Sequence, residues 1–344
     1  MSSPSMPTTT VIAEIGVNHD GDIDQAMKLI DCAADAGADI AKFQSFSADR
    51  LVHRDAPKAR YQQKQDQSGS QYDMLKRLEL SEQDHRDLIE KCRQRGIEFL
   101  STGFDEDTLA MLVSLGISRI KIPSGELTNL PYLRAAASHG LPLIISTGMA
   151  TMREVRDAVE AVLNSGAERE KLCLLHCTSN YPAADDELNL RAMLTLGEAF
   201  SVQVGYSDHS VGITASMVAA SMGATIIEKH LTLDRNLPGP DHAASIEPDE
   251  MTSLVEFIRR KDIMLGSTEK KPSEAEMEIA LVARKSIVAR RAIRAGEPFD
   301  TGNLTVKRPG NGLSPMLWDM IINTVAHRDY QPDEMIEREG NDDE

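Results

Sequence analysis

Two lysines stand inside apolar runs of this chain, Lys42 in IAKFQSF and Lys121 in RIKIPSG. A single strand lysine is ordinarily an edge residue with its head in water. Two on interior strands point instead to a buried anion. Hydroxyls recur at the ends of similar runs: Ser101 and Thr102 in STGF, Ser124 in PSGE, Ser146 and Thr147 in STGM. Ammonium groups, hydroxyls and backbone N–H groups loosened by glycine suit a phosphate or carboxylate. No one of these serines is diagnostic, because Ser and Thr also cap the helices that follow. His209 in GYSDHS and His230 in EKH end two adjacent runs. Two such imidazoles can meet on one divalent ion, with Glu14, Glu126, Asp208 and Asp241 as the nearby carboxylates. Without a thiolate, the site keeps positions open for substrate and water, as a Lewis-acid centre requires, and Mn²⁺ or Mg²⁺ fits better than structural zinc. A hydrogen-bonded structural role competes for His176 and His19.

Ser207, Asp208 and His209 are consecutive, which invites comparison with a hydrolase triad. Neighbouring side chains of a strand point to opposite faces. Triads are assembled from separate positions, with the serine on a sharp turn, so that reading is rejected. The loop LDRNLPGPDH, rigid in its Pro and Gly content, ends in Asp241, which could accept hydroxyl hydrogen bonds from a polyol. An anion pocket, a divalent ion and a polyol-binding carboxylate together suggest metal-assisted addition of an anionic three-carbon unit to a sugar aldehyde.

These residues need a scaffold that brings strand ends together. Strand patterns at 11–16, 40–46, 97–103, 119–125, 142–148, 171–177, 201–208 and 225–231 alternate with helical patterns at 22–37, 81–96, 105–116, 129–140, 151–166, 190–200, 212–223 and 248–266. Eight strand–helix units in about 255 residues predict an α/β fold, a (β/α)8 TIM barrel over 11–266, with active residues at the C-terminal strand ends. A doubly wound open sheet is the alternative. Neither nucleotide-binding glycine fingerprint follows any strand.

Residues 1–10 read as a disordered leader and 267–283 as a charged linker. Residues 284–337 read as a small β-rich domain, and 338–344 as an acidic tail. The chain has 344 residues, 41% hydrophobic and 26% charged, with net charge −17. That acidity argues against nucleic acid as a partner, and no apolar run suits a membrane span. The leader lacks signal-peptide character. Cys32, Cys92, Cys173 and Cys177 form no metal or disulfide pattern, as expected of a cytoplasmic protein with reduced cysteines.

The motifs AEIGVNHDG, KFQSF, KIPSGE, ISTGM, LLHCTSNYP, GYSDHS, EKHLTLDRNLPGPDHAAS and RKSIVA…VKRPGNG occur in this order. From about residue 11 to 335 the chain resembles the sialic acid synthase family. The resemblance implies a barrel followed by an antifreeze-like (SAF, β-clip) domain. It also implies condensation of phosphoenolpyruvate with an N-acylated mannosamine-type sugar, releasing phosphate and forming a nine-carbon 2-keto acid. It places Lys42, Thr102, Lys121, Ser124, Ser146, Ser179 and Ser207 at phosphoenolpyruvate, and His209 and His230 on the metal. Glu14 falls near the metal-side water. Glu126, Tyr181 and Asp241 fall at the sugar, and Arg308 is the residue that the small domain delivers to the acyl group. A homodimer with swapped small domains is implied as well.

The first reading of the acceptor is N-acetylmannosamine, giving N-acetylneuraminic acid. The alternative is a 2,4-diacetamido-2,4,6-trideoxymannose, giving legionaminic acid or a related nonulosonic acid. A third reading, an inactive carbohydrate- or ice-binding barrel, is opposed by the presence of both lysines and both histidines. Two positions depart from the family pattern. STGF replaces the commoner STPF, so Gly103 is expected to loosen its loop, and Ser179 stands where some members have Asn. Residues 50–75 are expected to form a mobile loop at the barrel mouth.

Overall fold

The computed structural model of the chain describes residues 9–58 and 69–338, in two compact units that divide between Gly266 and Ser267. The first unit is a closed barrel of eight parallel strands. Its strands are β1 (Thr10–Gly16), β2 (Ile40–Ser45), β3 (Glu98–Gly103), β4 (Ile120–Ile122), β5 (Leu143–Ser146), β6 (Leu172–Cys177), β7 (Gln203–Asp208) and β8 (Ile226–His230). Closure comes from β1 pairing with β8, where Glu14 stands opposite His230. The expected barrel is therefore the observed one.

Each helix lies where its caps put it. α1 (Ile23–Asp35) starts at Asp22, whose carboxylate accepts from the N–H groups of Asp24 and Gln25. The chain leaves it through Gly37 at φ +78°, a left-handed position suited to glycine. Two short helices follow β2: α2 (Ala48–Leu51) and α3 (Gln71–Leu78). α4 (Glu82–Arg95) opens on a reciprocal Ser81–Asp84 capping box and closes on left-handed Gly96. The outer ring is completed by α5 (Glu106–Ser114), α6 (Leu130–Ser138), α7 (Met152–Asn164), α8 (Arg191–Phe200), α9 (Thr214–Ser221) and α10 (Pro248–Leu265). No described helix is long and apolar enough to cross a membrane.

The barrel interior explains where chemistry can sit. Ile12, Ile40, Leu100, Ile144, Cys173, Leu175 and Ile226 form one buried apolar cluster. Side chains two residues apart share a strand face, so the next inward positions are Glu14, Lys42, Thr102, Ser146, Cys177 and Glu228. The strands thus change from apolar to polar along one face, toward their C-terminal ends.

Several details differ from the sequence expectations. β1 begins at Thr10, and Thr9 is buried with its hydroxyl on the Ala224 carbonyl, so the barrel takes up the end of the stretch read as a leader. Residues 1–8 lie outside the described residues. β4 is only three residues long because Ser124–Glu126 turn immediately into a 3-10 helix. Gly103 does not loosen a loop: a Cβ there would stand 3.0 Å from the Leu109 backbone nitrogen, so glycine allows β3 to pack closely on α5. Of the expected mouth loop, residues 59–68 lie outside the described residues. Of its described parts, residues 50–51 end α2, residues 52–58 are irregular and residues 71–75 lie in α3.

The second unit has its own core of Ile287, Ala289, Ile293, Phe299, Leu304, Ile321, Ala326, Tyr330 and Ile336. It contains helix α11 (Glu274–Ala283), an antiparallel pair β9 (Ser286–Ala289) and β10 (Leu304–Lys307), and a single turn, α12 (Trp318–Ile321). α11 falls inside the stretch expected to be a linker. The acidic tail from 339 onward lies outside the described residues.

Candidate active site

A cavity of about 510 Å³ opens at the C-terminal ends of the barrel strands. Its floor is a buried cluster of two lysines and two glutamates. Lys42 Nζ lies 2.6 Å from Glu14 Oε2 and 3.5 Å from Glu228 Oε2, and donates to Thr102 Oγ1 at 3.1 Å. Lys121 Nζ donates to Ser146 Oγ at 2.7 Å and lies 3.6 Å from Glu228 Oε1. Glu228 Oε1 also accepts from Ser207 Oγ at 2.7 Å. Burial pushes the Lys121 ammonium below its ordinary range. Burial acts on Glu228 in the opposite sense, but Lys121, Lys42 and the Ser207 hydrogen bond outweigh it and hold that carboxylate below the usual range. Glu14 is raised by burial, against the pull of Lys42.

The two histidines stand beside this floor, their ring centroids 5.5 Å apart. His209 Nδ1 lies 2.7 Å from the Thr178 carbonyl, which fixes the proton on Nδ1 and leaves Nε2 with a bare lone pair. The Tyr181 hydroxyl donates to that Nε2 at 2.9 Å, and its ring stacks on His209 at 4.1 Å. His230 Nδ1 is buried without a hydrogen-bond partner and lies 3.8 Å from Asp241 Oδ2. Burial keeps both imidazoles neutral, His209 at about 4 and His230 well below its usual value. Burial, with Glu14 nearby, pushes Asp241 up to about 7.

Among the described residues no three His, Cys, Asp or Glu side chains already surround one point. An unprotonated Nε2, which a metal could take over from the Tyr181 hydroxyl, and a buried nitrogen lacking any partner suit a divalent ion, with the other positions left to ligands outside the chain. The donor set fits a catalytic ion and not a closed structural one.

The other predicted residues are distributed unevenly. Ser124, Glu126, Ser179, Tyr181 and Asp241 all line the cavity. Ser124 Oγ accepts from the Gly148 backbone N–H at 3.0 Å. A Cβ on Gly148 would stand 2.2 Å from Ser179 Oγ and 2.8 Å from Ser124 Oγ, so glycine is what lets these hydroxyls close on the backbone. Glu126 accepts from Asn129 Nδ2 at 2.6 Å, beside the start of α6. Arg308 follows β10 in the second unit and is exposed.

Two expectations are corrected. Ser101 faces away from the barrel axis, bonded to Ser45 in a buried group with His85, so it is no anion donor. Asp208 is no metal-side carboxylate and has no triad contact to His209. It is fully buried and accepts from the backbone N–H and hydroxyl of both Ser210 and Ser216, with Lys229 Nζ at 3.3 Å.

Residues 29–270 match the model of the NeuB family, and residues 284–338 match that of the SAF domain. The chain belongs to the NeuB family, that of the sialic acid synthases. This NeuB-family chain is 51% identical to N,N'-diacetyllegionaminic acid synthase of Legionella pneumophila over 327 residues, 94% of this chain and 91% of that one. It is 34% identical to human N-acetylneuraminate-9-phosphate synthase over 339 residues, 96% and 93% of the two chains. Among solved structures it is similar to N-acetylneuraminic acid (sialic acid) synthetase from Leptospira borgpetersenii in complex with citrate. That match has a TM-score of 0.70 and 33% identity, covering 81% of this chain and 94% of the other.

The sequence reading missed three cavity residues of the NeuB-family chain. Glu228 joins both lysines to Ser207, Gln44 donates to Glu14 Oε1 at 2.9 Å, and the Cys177 thiol sits 3.3 Å from Ser124 Oγ. Alternation carried a signal for the first: if Lys229 faces outward, Glu228 and His230 share the inward face.

Proposed function

We propose that this NeuB-family chain condenses phosphoenolpyruvate with an N-acylated amino sugar to give a nonulosonic acid and inorganic phosphate. The observation carrying this reading is one cavity that holds a buried lysine pair with hydroxyl partners beside two neutral imidazoles. The acceptor we favour is a diacetamido-trideoxymannose, giving a legionaminic-type acid, in place of N-acetylmannosamine. The relative at 51% identity and another from Campylobacter jejuni at 46% are both N,N'-diacetyllegionaminic acid synthases.

Lys42, Thr102, Lys121, Ser124, Ser146, Ser179 and Ser207 bind the phosphate and carboxylate of phosphoenolpyruvate. His209 and His230 would hold Mn²⁺ or Mg²⁺, which would supply Lewis acidity to the sugar aldehyde. C3 of phosphoenolpyruvate attacks the aldehyde carbon of the open-chain sugar, and positive charge develops at C2. Water adds at C2, and Glu14 is the group we propose to take its proton. The tetrahedral adduct then loses phosphate by C–O cleavage. The lysines stabilise the departing anion. Glu126, Tyr181 and Asp241 orient the sugar hydroxyl and amide groups.

The test is phosphate release from phosphoenolpyruvate that requires both sugar and Mn²⁺. No release with either class of sugar overturns the reading. Arg308 is proposed to reach the acyl group from a neighbouring chain in a swapped homodimer. His230→Ala and Arg308→Ala, each nearly inactive, then regain activity when co-expressed, because one site of each mixed dimer is intact. Verified mixed dimers that stay inactive rule out the swap.

A further inference from the structure

The last loop of the barrel is held from the first. Asp241 lines the cavity, 3.8 Å from His230 Nδ1, and belongs to the segment between β8 and α10. The middle of that segment carries a single 3-10 turn, His242–Ala244, so its shape depends on partners outside it. Two polar links supply them, both from the turn between β1 and α1. The Asn18 amide donates to the Leu231 carbonyl at 2.9 Å and to Ser245 Oγ at 2.8 Å, and Ser245 Oγ donates in turn to the Asp241 carbonyl at 2.7 Å. The second link is His242, which is fully buried. Its Nδ1 lies 2.7 Å from Thr232 Oγ1, and its Nε2 lies 3.1 Å from Asp20 Oδ2. A carboxylate only accepts, so Nε2 is the donor. Asp241 is thus gripped through its own carbonyl and through the side chain that follows it, by partners 227 and 222 residues away along the chain from Ser245 and His242.

Both sides of the Asp20–His242 contact are built for it. Asp20 stands at φ +53°, a left-handed conformation that Asp and Asn tolerate better than other side chains. Gln25, in the first turn of α1, donates to Asp20 Oδ2 at 3.0 Å and to the Asn18 carbonyl at 2.7 Å, so the gripping turn is itself anchored. A Cβ on Gly239 would stand 2.6 Å from His242 Cδ2 and 2.9 Å from Asp20 Oδ1, so glycine is what lets the chain close over the pair. Neither link is needed to close the barrel, because β1 and β8 already pair from Thr10 opposite Ile226 to Glu14 opposite His230. None of Asn18, Asp20, His242 and Ser245 lines the cavity, so their reach into it runs through Asp241. A carboxylate that orients a substrate works only when held in one place, and an irregular segment cannot hold it unaided. We infer that the Asp20–His242 and Asn18–Ser245 links form a two-point clasp that fixes Asp241 beside His230, and that Asp20 and His242 are positioning residues for the sugar step. This rests on the proposed synthase activity, in which Asp241 contacts the sugar.

The experiment compares Asp20→Gly with Asp20→Asn in the full chain with Mn²⁺, using whichever of a diacetamido-trideoxymannose and N-acetylmannosamine the unmodified protein turns over. Glycine keeps the left-handed backbone and removes the carboxylate, while asparagine keeps both that backbone and an oxygen for His242 Nε2. Asp20→Gly is expected to lower kcat/KM for the sugar about tenfold to a hundredfold and to leave KM for phosphoenolpyruvate unchanged. Sugar binding measured by calorimetry is expected to weaken with it. Asp20→Asn is expected to restore most of both. Added to Asp241→Asn, Asp20→Gly is expected to cost little more than Asp241→Asn alone, because the clasp then has nothing left to place. Three outcomes overturn the inference while leaving the synthase reading intact: parental sugar kinetics in Asp20→Gly, equal losses for both substrates, or a loss that adds in full to that of Asp241→Asn. Absence of turnover in the unmodified protein with both sugars overturns the synthase reading, and this inference with it.

Discussion

The ends of β7 and β8 carry two buried charge networks on opposite faces, and they are finished differently. On the outer face Asp208 and Lys229 are both fully buried, and both Asp208 oxygens are saturated by Ser210, Ser216 and Lys229. On the inner face Glu14 Oε2, Glu228 Oε2 and His230 Nδ1 are buried without a hydrogen bond. Lys42 forms ion pairs with both of these oxygens, at 2.6 Å from Glu14 and 3.5 Å from Glu228, while His230 Nδ1 is left with no hydrogen-bond partner. A satisfied polar network adds rigidity, whereas an unsatisfied one is costly to leave unfilled. The contrast separates a brace from a binding site built of the same residue types. The brace also sets the site: Asp208 precedes His209 and Lys229 precedes His230, so anchoring the outer pair fixes where the imidazoles point.

The sharpest break of this contrast is on the inner face. His230→Ala is expected to lower Mn²⁺-dependent turnover by about a thousandfold or more while the circular dichroism spectrum and melting curve stay near those of the parent. Normal turnover at limiting Mn²⁺ would show that His230 is no ligand.

On the outer face the order of effects reverses. Lys229→Met leaves a buried carboxylate without its cation and is expected to cost about 3–5 kcal/mol of stability in urea denaturation. A loss under about 1 kcal/mol would place this pair among weak surface bridges and remove the brace.

Lys121→Ala tests whether the inner network is a ligand site at all. It is expected to raise KM for phosphoenolpyruvate about a hundredfold, close to 2.7 kcal/mol, and to change KM for the sugar far less. Equal effects on both substrates would make Lys121 structural.

The smallest expected effect concerns His19, a third buried polar group. Its Nδ1 accepts the Gly21 N–H at 3.0 Å, and its Nε2 is buried without a partner. Burial lowers this imidazole to about 4. As pH falls below 6.5, the unfolded chain takes up the proton and the folded chain does not, so stability is lost between pH 6.5 and about 4. The loss from this group at pH 5 is about 2 kcal/mol relative to pH 8. His19→Gln is expected to flatten that limb of the urea-denaturation profile, and an unchanged slope would show that other groups dominate it.

The barrel was legible because eight short apolar runs, buried on both faces, alternate with capped helical segments, and both signals are local. Lys42, Lys121, His209 and His230 were legible for a related reason: a polar residue at an inward strand position has no packing role to explain it. Glu228 escaped because it was not read together with His230, two residues on, which shares its strand face. Ser101 was misplaced by one residue of phase, since its neighbour Thr102 takes the inward position.

By itself, then, the sequence determined the order of elements and the chemical types available at the strand ends, because propensity, capping and periodicity act over a few residues. Tertiary structure alone decided which of those types meet. Closing the barrel brings Glu14 opposite His230 from more than 200 residues away, and folding α3 beside the mouth packs Met74 and Leu78 into a buried apolar cluster with Val17 and Phe46. Such contacts depend on closure and on the direction of side chains across separate elements, which no local pattern in the chain encodes.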